Sequence, residues 1–253
     1  MKGQETSIKL QTKVLIIGGG PAGSTAARFL ADNGIETIVA ERDLSYIKPC
    51  GGGIPSSALD ELDIPQRVVK KEVKKIRIIS PKGEETEIEL KGGALCIAER
   101  GAFDSTLREM AKAKGASIIE GEFVRFEEIG RNIISTIIKK STREAIRIKS
   151  DYVIVSNGAT SQVGAGIKAP KQNYIYTISA HIKPNDYDAC EFWFGTEHAS
   201  NFYSWIFPSR EYASIGTGSA DPQKLTRLLE CRNGTGPLRI SGIYFLQAML
   251  PVR

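Results

Sequence analysis

Val14-Leu-Ile-Ile-Gly-Gly-Gly-Pro-Ala-Gly23 is the stretch on which the fold turns. Val14 to Ile17 are consecutive apolar residues, the pattern of a short buried strand. Gly18, Gly20 and Gly23 then fill a G-x-G-x-x-G spacing. From Pro21 or Ala22 a helix can run to Asn33, and Pro21 suits the first turn, where a missing N–H costs nothing. Gly34 stands where a left-handed cap would end that helix. A second strand over 36–40 ends on Glu41. Strand, turn, helix, second strand and acid fall in one register, which an isolated glycine triplet does not provide.

Each part of this unit has a chemical task. The first glycine permits the tight turn, the second lets the backbone approach a pyrophosphate, and the third lets the helix lie close to the strand. The helix N-terminus offers N–H groups and the positive end of a dipole to phosphates. Glu41 is placed to accept hydrogen bonds from adenosine ribose hydroxyls, and its charge opposes a 2′-phosphate, which disfavours NADP at this site. The unit alone fits FAD and NAD equally.

Bulk properties narrow the classes. The chain has 253 residues, enough for one large or two modest domains. With 41% apolar and 25% charged residues, its composition is globular. The net charge of +5 is mild, and Lys70, Lys71, Lys74 and Lys75 form the clearest basic cluster. That cluster suits a solvated face or contact with an anionic membrane surface, and the lack of interleaved aromatic residues argues against nucleic acid. Met1 to Lys13 has no apolar core, so no secretory signal is expected, and no apolar run approaches a bilayer span. Cys50, Cys96, Cys190 and Cys231 are widely spaced without a C-x-x-C pair, which implies reduced thiols in a cytoplasmic protein. His181 and His198 are the only histidines, and without Cys/His clustering no metal site is expected.

The rest of the chain extends the pattern. Residues 46–54 form a glycine-rich loop with one thiol. Strand-like runs at 73–80 and 84–90 flank Pro81-Lys-Gly83, a hairpin signal, and 94–98 suits a further strand with Cys96 in the core. A helix is expected over 102–114, with Phe103, Leu107, Met110 and Ala111 on its apolar face, Asp104 in its first turn and Gly115 closing it. Residues 116–120 suit a third parallel strand. Runs at 122–127, 133–139 and 144–148 suit an antiparallel meander, and 152–155 a separate apolar strand. From Tyr174 the strands become aromatic-rich, with alternation at 190–195 and 202–208. This aromatic face serves either a packed core or a ligand wall. Asp221-Pro222 is expected to cap a helix through Glu230. The fold class is therefore α/β, α+β overall: a Rossmann-like sheet with antiparallel additions, then an aromatic-rich antiparallel sheet. The expected domains are 1–168, carrying a hairpin insert near 71–98 that can join the second domain, and 169–253.

Four motifs together carry a resemblance. They are Gly18-Gly-Gly-Pro-Ala-Gly23 with Glu41; Pro49-Cys-Gly-Gly-Gly53; Glu99-Arg-Gly101 with Phe103-Asp104; and Tyr203-Ser-Trp-Ile-Phe-Pro208 followed by Gly216-Thr-Gly218. On these the chain resembles the geranylgeranyl reductase family of FAD-dependent oxidoreductases, which has the fold of p-hydroxybenzoate hydroxylase. The last motif is similar to the family's YxWxFP…GxG sequence, which helps form an isoprenoid cavity. The resemblance covers roughly Lys13 to Gly218.

The resemblance implies FAD as cofactor, held through Gly18, Gly20, Ala22, Gly23, Glu41 and Arg42, with Cys50, Gly51, Gly52, Arg100 and Val124 adding contacts. It implies a substrate wall of Tyr203, Trp205, Phe207, Gly216 and Gly218. The reaction implied is reduction of isolated C=C bonds in a geranylgeranyl chain borne by a phosphate, an ether lipid or a chlorophyll precursor. An isolated alkene is unpolarised, so hydride from the flavin needs an accompanying proton, and the protein must hold the alkene and exclude water. Cys50 either tunes the flavin or supplies the proton, or is simply small enough to let its loop approach the ring. The electron donor, NADPH or ferredoxin, stays open, because no second dinucleotide fingerprint is visible. A flavin monooxygenase of the same fold and a non-catalytic remnant are the alternatives. Departures from the family pattern are Asn157-Gly158 for Asp-Gly, Gly164 for an arginine, and no Gly-Asp-Ala-Ala-Gly segment before Ser241-Gly-Ile-Tyr-Phe245. An internal deletion and chance similarity both account for the last of these. The implied outcome is a substrate domain incomplete at its C-terminal end and a weakened reductase with loosely held flavin.

Overall fold

The computed structural model describes residues 8–159, 175–183, 187–199, 201–225 and 243–248. In chain order the elements are β1 (Ile8–Ile17), α1 (Pro21–Asp32), β2 (Thr37–Glu41), β3 (Gly53–Pro55), α2 (Ser56–Glu61), β4 (Val69–Val73), β5 (Lys75–Ile79), β6 (Glu85–Glu89) and β7 (Leu95–Ala98). There follow α3 (Arg100–Ala113), β8 (Ser117–Ile129), β9 (Asn132–Lys139), β10 (Ala145–Val155), β11 (Ile175–Ile182), β12 (Cys190–Trp193), β13 (Ser204–Pro208), β14 (Ala213–Ser219) and β15 (Ile243–Ala248). The chain packs as two units, Met1–Tyr46 with Phe103–Pro170 and Ile47–Ala102 with Lys171–Arg253. The stretch grouped with the second unit is thus longer than the 71–98 hairpin.

In the first unit, β1 lies between two parallel neighbours, β2 and β10. This explains the unbroken apolar run. Successive side chains on a strand point to opposite faces. Leu15 and Ile17 enter one core with Ile38, Ala40, Ile137, Ile146 and Ile148. Val14 and Ile16 enter another with Ala27, Val39, Ala111 and Ala116. Neither face meets water, so no polar residue alternates in, and each buried aliphatic side chain contributes about 1.5–3 kcal/mol. α1 stops at Asn33, and Gly34 follows at φ +72°.

The five strands of this unit close into a barrel in the order β1-β10-β9-β8-β2. Closure follows because each strand has two neighbours in the ring: β8 changes partner along its length, and β10 holds both of its partners over Arg147–Ser150. β8 pairs parallel with β2 over Ser117–Glu120, then antiparallel with β9 from Gly121. β10 pairs antiparallel with β9 over Ala145–Ser150 and parallel with β1 as far as Val155. The separate runs expected at 116–120 and 122–127, and at 144–148 and 152–155, are therefore two continuous strands. Gly121 breaks nothing, because a Cβ there would lie 2.6 Å from Ile137 Cγ2, so its absence lets the strands close. Ser150 is fully buried between its two partner strands.

In the second unit, seven strands run in the order β15-β11-β14-β13-β12-β5-β6. All neighbours are antiparallel except β12 and β5, which pair parallel from Cys190↔Ile76 to Trp193↔Ile79. The expected all-antiparallel sheet thus has one parallel junction, where strands distant in sequence meet. The β5–β6 hairpin forms as expected, with Gly83 at φ +82° and its N–H donating to Ser80 O at 3.0 Å. β6 is exposed throughout, and its Glu85, Glu87 and Glu89 keep an edge strand soluble. A smaller antiparallel sheet, β3-β7-β4, carries the short helix α2 after β3. β13 is buried along its whole length. Ile206 joins Ile178, Ala180, Ala213, Ile215 and Leu225, while Trp205 and Phe207 join Val73, Ile97 and Cys190. Of the helix expected from Asp221 to Glu230, the described residues hold one 3-10 turn, Pro222–Lys224, with Asp221 Oδ1 accepting from Gln223 N at 3.0 Å. The remainder, with Gly164 and Cys231, lies outside the described residues. Ile243–Phe245 belong to β15 on the sheet edge beside β11.

Candidate functional site

One candidate site lies in the first unit, at the C-terminal ends of β1 and β2. Gly18 adopts φ +104°, and a Cβ there would lie 2.6 Å from Ser156 O. Gly23 is closer still: a Cβ would lie 1.9 Å from Gly18 O, so only glycine lets α1 lie this near the turn. Gly20 differs from both. No atom lies within 4 Å of its Cβ position, leaving open space over the turn. No side chain caps α1, whose N-cap is Gly20, so its first-turn dipole faces that space. These observations fit a pyrophosphate. Ala22 is exposed beside them.

Glu41 grips the turn itself. Oε2 accepts from Gly19 N at 2.6 Å and Oε1 from Asp43 N at 3.0 Å. A carboxylate has about four acceptor sites, so capacity for ribose hydroxyls remains. Arg42 is exposed next to it. The following loop is tied down: Lys140 Nζ donates to Asp43 Oδ1 at 2.7 Å and to Glu120 Oε1 at 2.9 Å. The Lys140 bond, with Ser45 behind it, holds the Asp43 carboxyl far below the usual carboxylate range. Val124 lies at a register shift of β8, within its pairing with β9, and is exposed.

Two residues were not legible as site members. Arg108 donates from Nη1 to Gly19 O at 3.3 Å and from Nη2 to Leu44 O at 3.1 Å, placing a guanidinium against the turn. Ser156 Oγ donates toward the Ile17 and Gly18 carbonyls, each 3.0 Å away. Arg108 carries no local signal, because a polar position on an amphipathic helix reads as solvent-facing. Ser156 does carry one: it ends an apolar strand directly before Asn157-Gly158.

A second candidate site is built within the second unit. The loop Cys50–Gly53 lies on an aromatic wall. A Cβ on Gly51 would sit 2.5 Å from Phe207 Cδ2 and 3.1 Å from Trp205 Nε1, and one on Gly53 3.0 Å from Phe207 Cε2. Gly52, at φ +79°, accepts from Ala98 N at 2.9 Å and donates to Cys50 Sγ at 3.4 Å. The wall is continuous: ring centroids are 5.3 Å apart for Phe192–Phe207, 5.3 Å for Phe192–Tyr203 and 4.2 Å for the Phe202–Tyr203 stack. Gly216 and Gly218 seat these rings from β14. A Cβ on Gly216 would lie 2.1 Å from Trp205 Cζ2, and one on Gly218 2.4 Å from Phe202 Cδ1.

Trp205 and Phe207 are 6% and 9% exposed, so they are core, while Tyr203 and Cys50 are half-buried at the margin. Burial foremost, then Cys50, pushes the Tyr203 phenol above its ordinary value. Tyr212 is raised by burial, then by Glu99, Glu211 and Cys50. Arg100 opens α3, whose first amides are capped by Glu99: Gly101 N donates to Oε1 at 2.7 Å and Ala102 N to Oε2 at 2.9 Å. Cys190 is deeply buried and its thiol is pushed up to about 12, mainly by that burial, so it stays an inert core thiol.

Comparison with known proteins identifies the family and the fold. A family profile described as FAD binding domain matches residues 11–227. A geranylgeranyl diphosphate reductase from Synechocystis sp. is 33% identical over 228 residues, covering 84% of this chain and 56% of that protein. A digeranylgeranylglycerophospholipid reductase from Methanocaldococcus jannaschii is 29% identical over 221 residues, covering 83% of this chain and 56% of that protein. This chain therefore spans a little over half the length of each. The crystal structure of a geranylgeranyl bacteriochlorophyll reductase-like protein from Thermoplasma acidophilum superposes with a TM-score of 0.85 at 26% identity, covering 95% of this chain and 66% of that one.

Proposed function

The chain belongs to the FAD binding domain family, and from that premise we propose that it is an FAD-dependent oxidoreductase that reduces C=C bonds of a geranylgeranyl chain. The observation that carries the reading is the Cys50–Gly53 loop seated on the Phe207–Trp205 wall. An unpolarised alkene offers nothing to a charged pocket. It needs an apolar wall that excludes water, with a proton-bearing group at its edge.

FAD, when bound, supplies the hydride equivalent. The open space over Gly20 and the uncapped α1 take its pyrophosphate, and Glu41 takes its ribose. Arg42, Arg100 and Val124 add contacts to it. Cys50 Sγ and Tyr203 Oη are the proton-bearing groups beside the wall. Tyr203 keeps its proton through the neutral range because burial disfavours the phenolate. The similarity to reductases of geranylgeranyl diphosphate and of a digeranylgeranyl phospholipid supports the isoprenoid class.

A peripheral membrane contact is the finer part of this reading. Of the 70–75 lysines, Lys70 pairs with Glu211, Lys71 donates to Tyr187 O and Lys75 pairs with Glu87, so exposed Lys74 is the member of the cluster best placed for it. Liposome flotation tests it. The test of the activity is incubation of the chain with FAD, dithionite and geranylgeranyl diphosphate, with products read by mass. Gain of hydrogen pairs is expected. An unchanged prenyl chain, with FAD bound, would remove the reading.

A further inference from the structure

The second unit also holds a cavity of about 580 Å3, within the range of about 300–1,000 Å3 typical of small-molecule sites. It opens where the β3–α2 corner meets the end of β6 and the turn before β7. Its floor is apolar: Ile76, Leu95 and Phe192 line it, all half-buried. The same three side chains pack against the cluster that contains Trp205 and Phe207. The floor is therefore continuous with the aromatic wall: Phe192 pairs with Trp205 and Ile76 with Cys190, on one face of the sheet.

The mouth has a different chemistry. Ser57, Asp60, Glu89 and Lys91 line it and all are exposed. Two carboxylates face one ammonium there. Lys75, opposite Glu89 across the hairpin, spends its charge on Glu87 at 2.8 Å. A diphosphate brought to this mouth would meet more like charge than opposite charge, and like charges close together repel. A hydrocarbon pays no such cost, and its burial is favourable at about 25 cal/mol per Å2.

We propose that this cavity receives the neutral hydrocarbon end of an isoprenoid and rejects the diphosphate-bearing end. The inference rests on the reductase reading for the choice of isoprenoid. The cavity's apolar floor and acidic mouth set the polarity of entry.

Short probes bring the head to the mouth, so the test uses geraniol and geranyl diphosphate in equilibrium dialysis against the full chain loaded with FAD. Geraniol is expected to bind at least tenfold tighter than geranyl diphosphate. Ser57→Trp, at an exposed position, should plug the mouth and weaken geraniol at least tenfold while FAD affinity and circular dichroism stay unchanged. Asp60→Lys with Glu89→Lys should bring the two probes to similar affinity while leaving geraniol unaffected, and it carries the test alone if the tryptophan variant does not fold. Equal binding of both probes to the unmodified chain, or no response to either variant, would overturn the assignment. Loss of alkene reduction with this binding pattern intact would remove the reductase reading and leave the cavity's selectivity standing.

Discussion

Gly216→Ala probes the aromatic wall directly. The added methyl would lie 2.1 Å from Trp205 Cζ2 and 2.5 Å from both Cε2 and Cη2. The obstacle is a rigid ring in register across the ladder, since Trp205 pairs with Gly216. The ring cannot swing away cheaply, because it is 6% exposed and packed with Val73, Ile97, Cys190 and Phe207. Overpacking of this kind costs about 1–3 kcal/mol, and the rigidity of the ring puts the expectation at about 2–3 kcal/mol. For a chain of this length each kcal/mol lowers the melting temperature by about 2–4 °C, so a drop of about 4–12 °C is expected. Urea denaturation and thermal melting followed by circular dichroism measure it. The control is Trp205→Leu, which removes the ring and costs stability on its own. Adding Gly216→Ala to that background should cost little, giving a coupling of at least about 1 kcal/mol. A Gly216→Ala protein as stable as the parent, or a strictly additive double variant, would refute the argument that this glycine exists to seat the indole.

Three further outcomes are expected. Glu41→Ala should weaken FAD binding about ten- to hundredfold, because it removes charge-assisted hydrogen bonds worth about 1.5–3 kcal/mol; fluorescence titration reads this, and unchanged affinity would remove Glu41 from the ribose. Arg108→Ala frees the Gly19 and Leu44 carbonyls, so faster amide exchange across the turn and a loss of FAD affinity of about 1 kcal/mol are expected, while protection as in the parent would show that the guanidinium is dispensable. His181, stacked 3.9 Å from Tyr212, has its imidazole held below the ordinary value of about 6.5 by burial. Its folded pKa is depressed, so its contribution is complete above the unfolded value and is lost as pH falls through the folded one. The urea midpoint should therefore fall as pH drops from about 7 to about 5, and His181→Gln should flatten that slope; equal slopes in both proteins would count against it.

What could be read from the chain alone was local and periodic. Val14–Ile17 announced a strand buried on both faces, because an apolar run without alternation has no other stable place in a sheet. The glycine spacing announced the strand-to-helix turn, because positive φ at Gly18 and the 1.9 Å between Gly18 O and a Cβ on Gly23 exclude every larger residue. Pro81-Lys-Gly83 announced the β5–β6 hairpin for the same backbone reason.

Partner choice was not readable. Nothing in Ala145–Val155 says that one strand will hold β9 over its first half and β1 from Arg147 to its end, or that the ring will close. Nothing in Cys190–Trp193 says that its neighbour will be the parallel β5 rather than another hairpin strand. The same limit applies to the site. Residues carrying their own geometric need, such as Gly18, Gly23 and Gly52, showed it in the sequence. Residues whose role depends on what folds against them did not: Arg108 reaching Gly19 O, Gly216 beneath Trp205, and Ile76 with Phe192 flooring one cavity. Period and backbone conformation are properties of a few consecutive residues. Pairing and packing are decided by competition among strands far apart in the chain, and that competition is settled only when the whole core is buried.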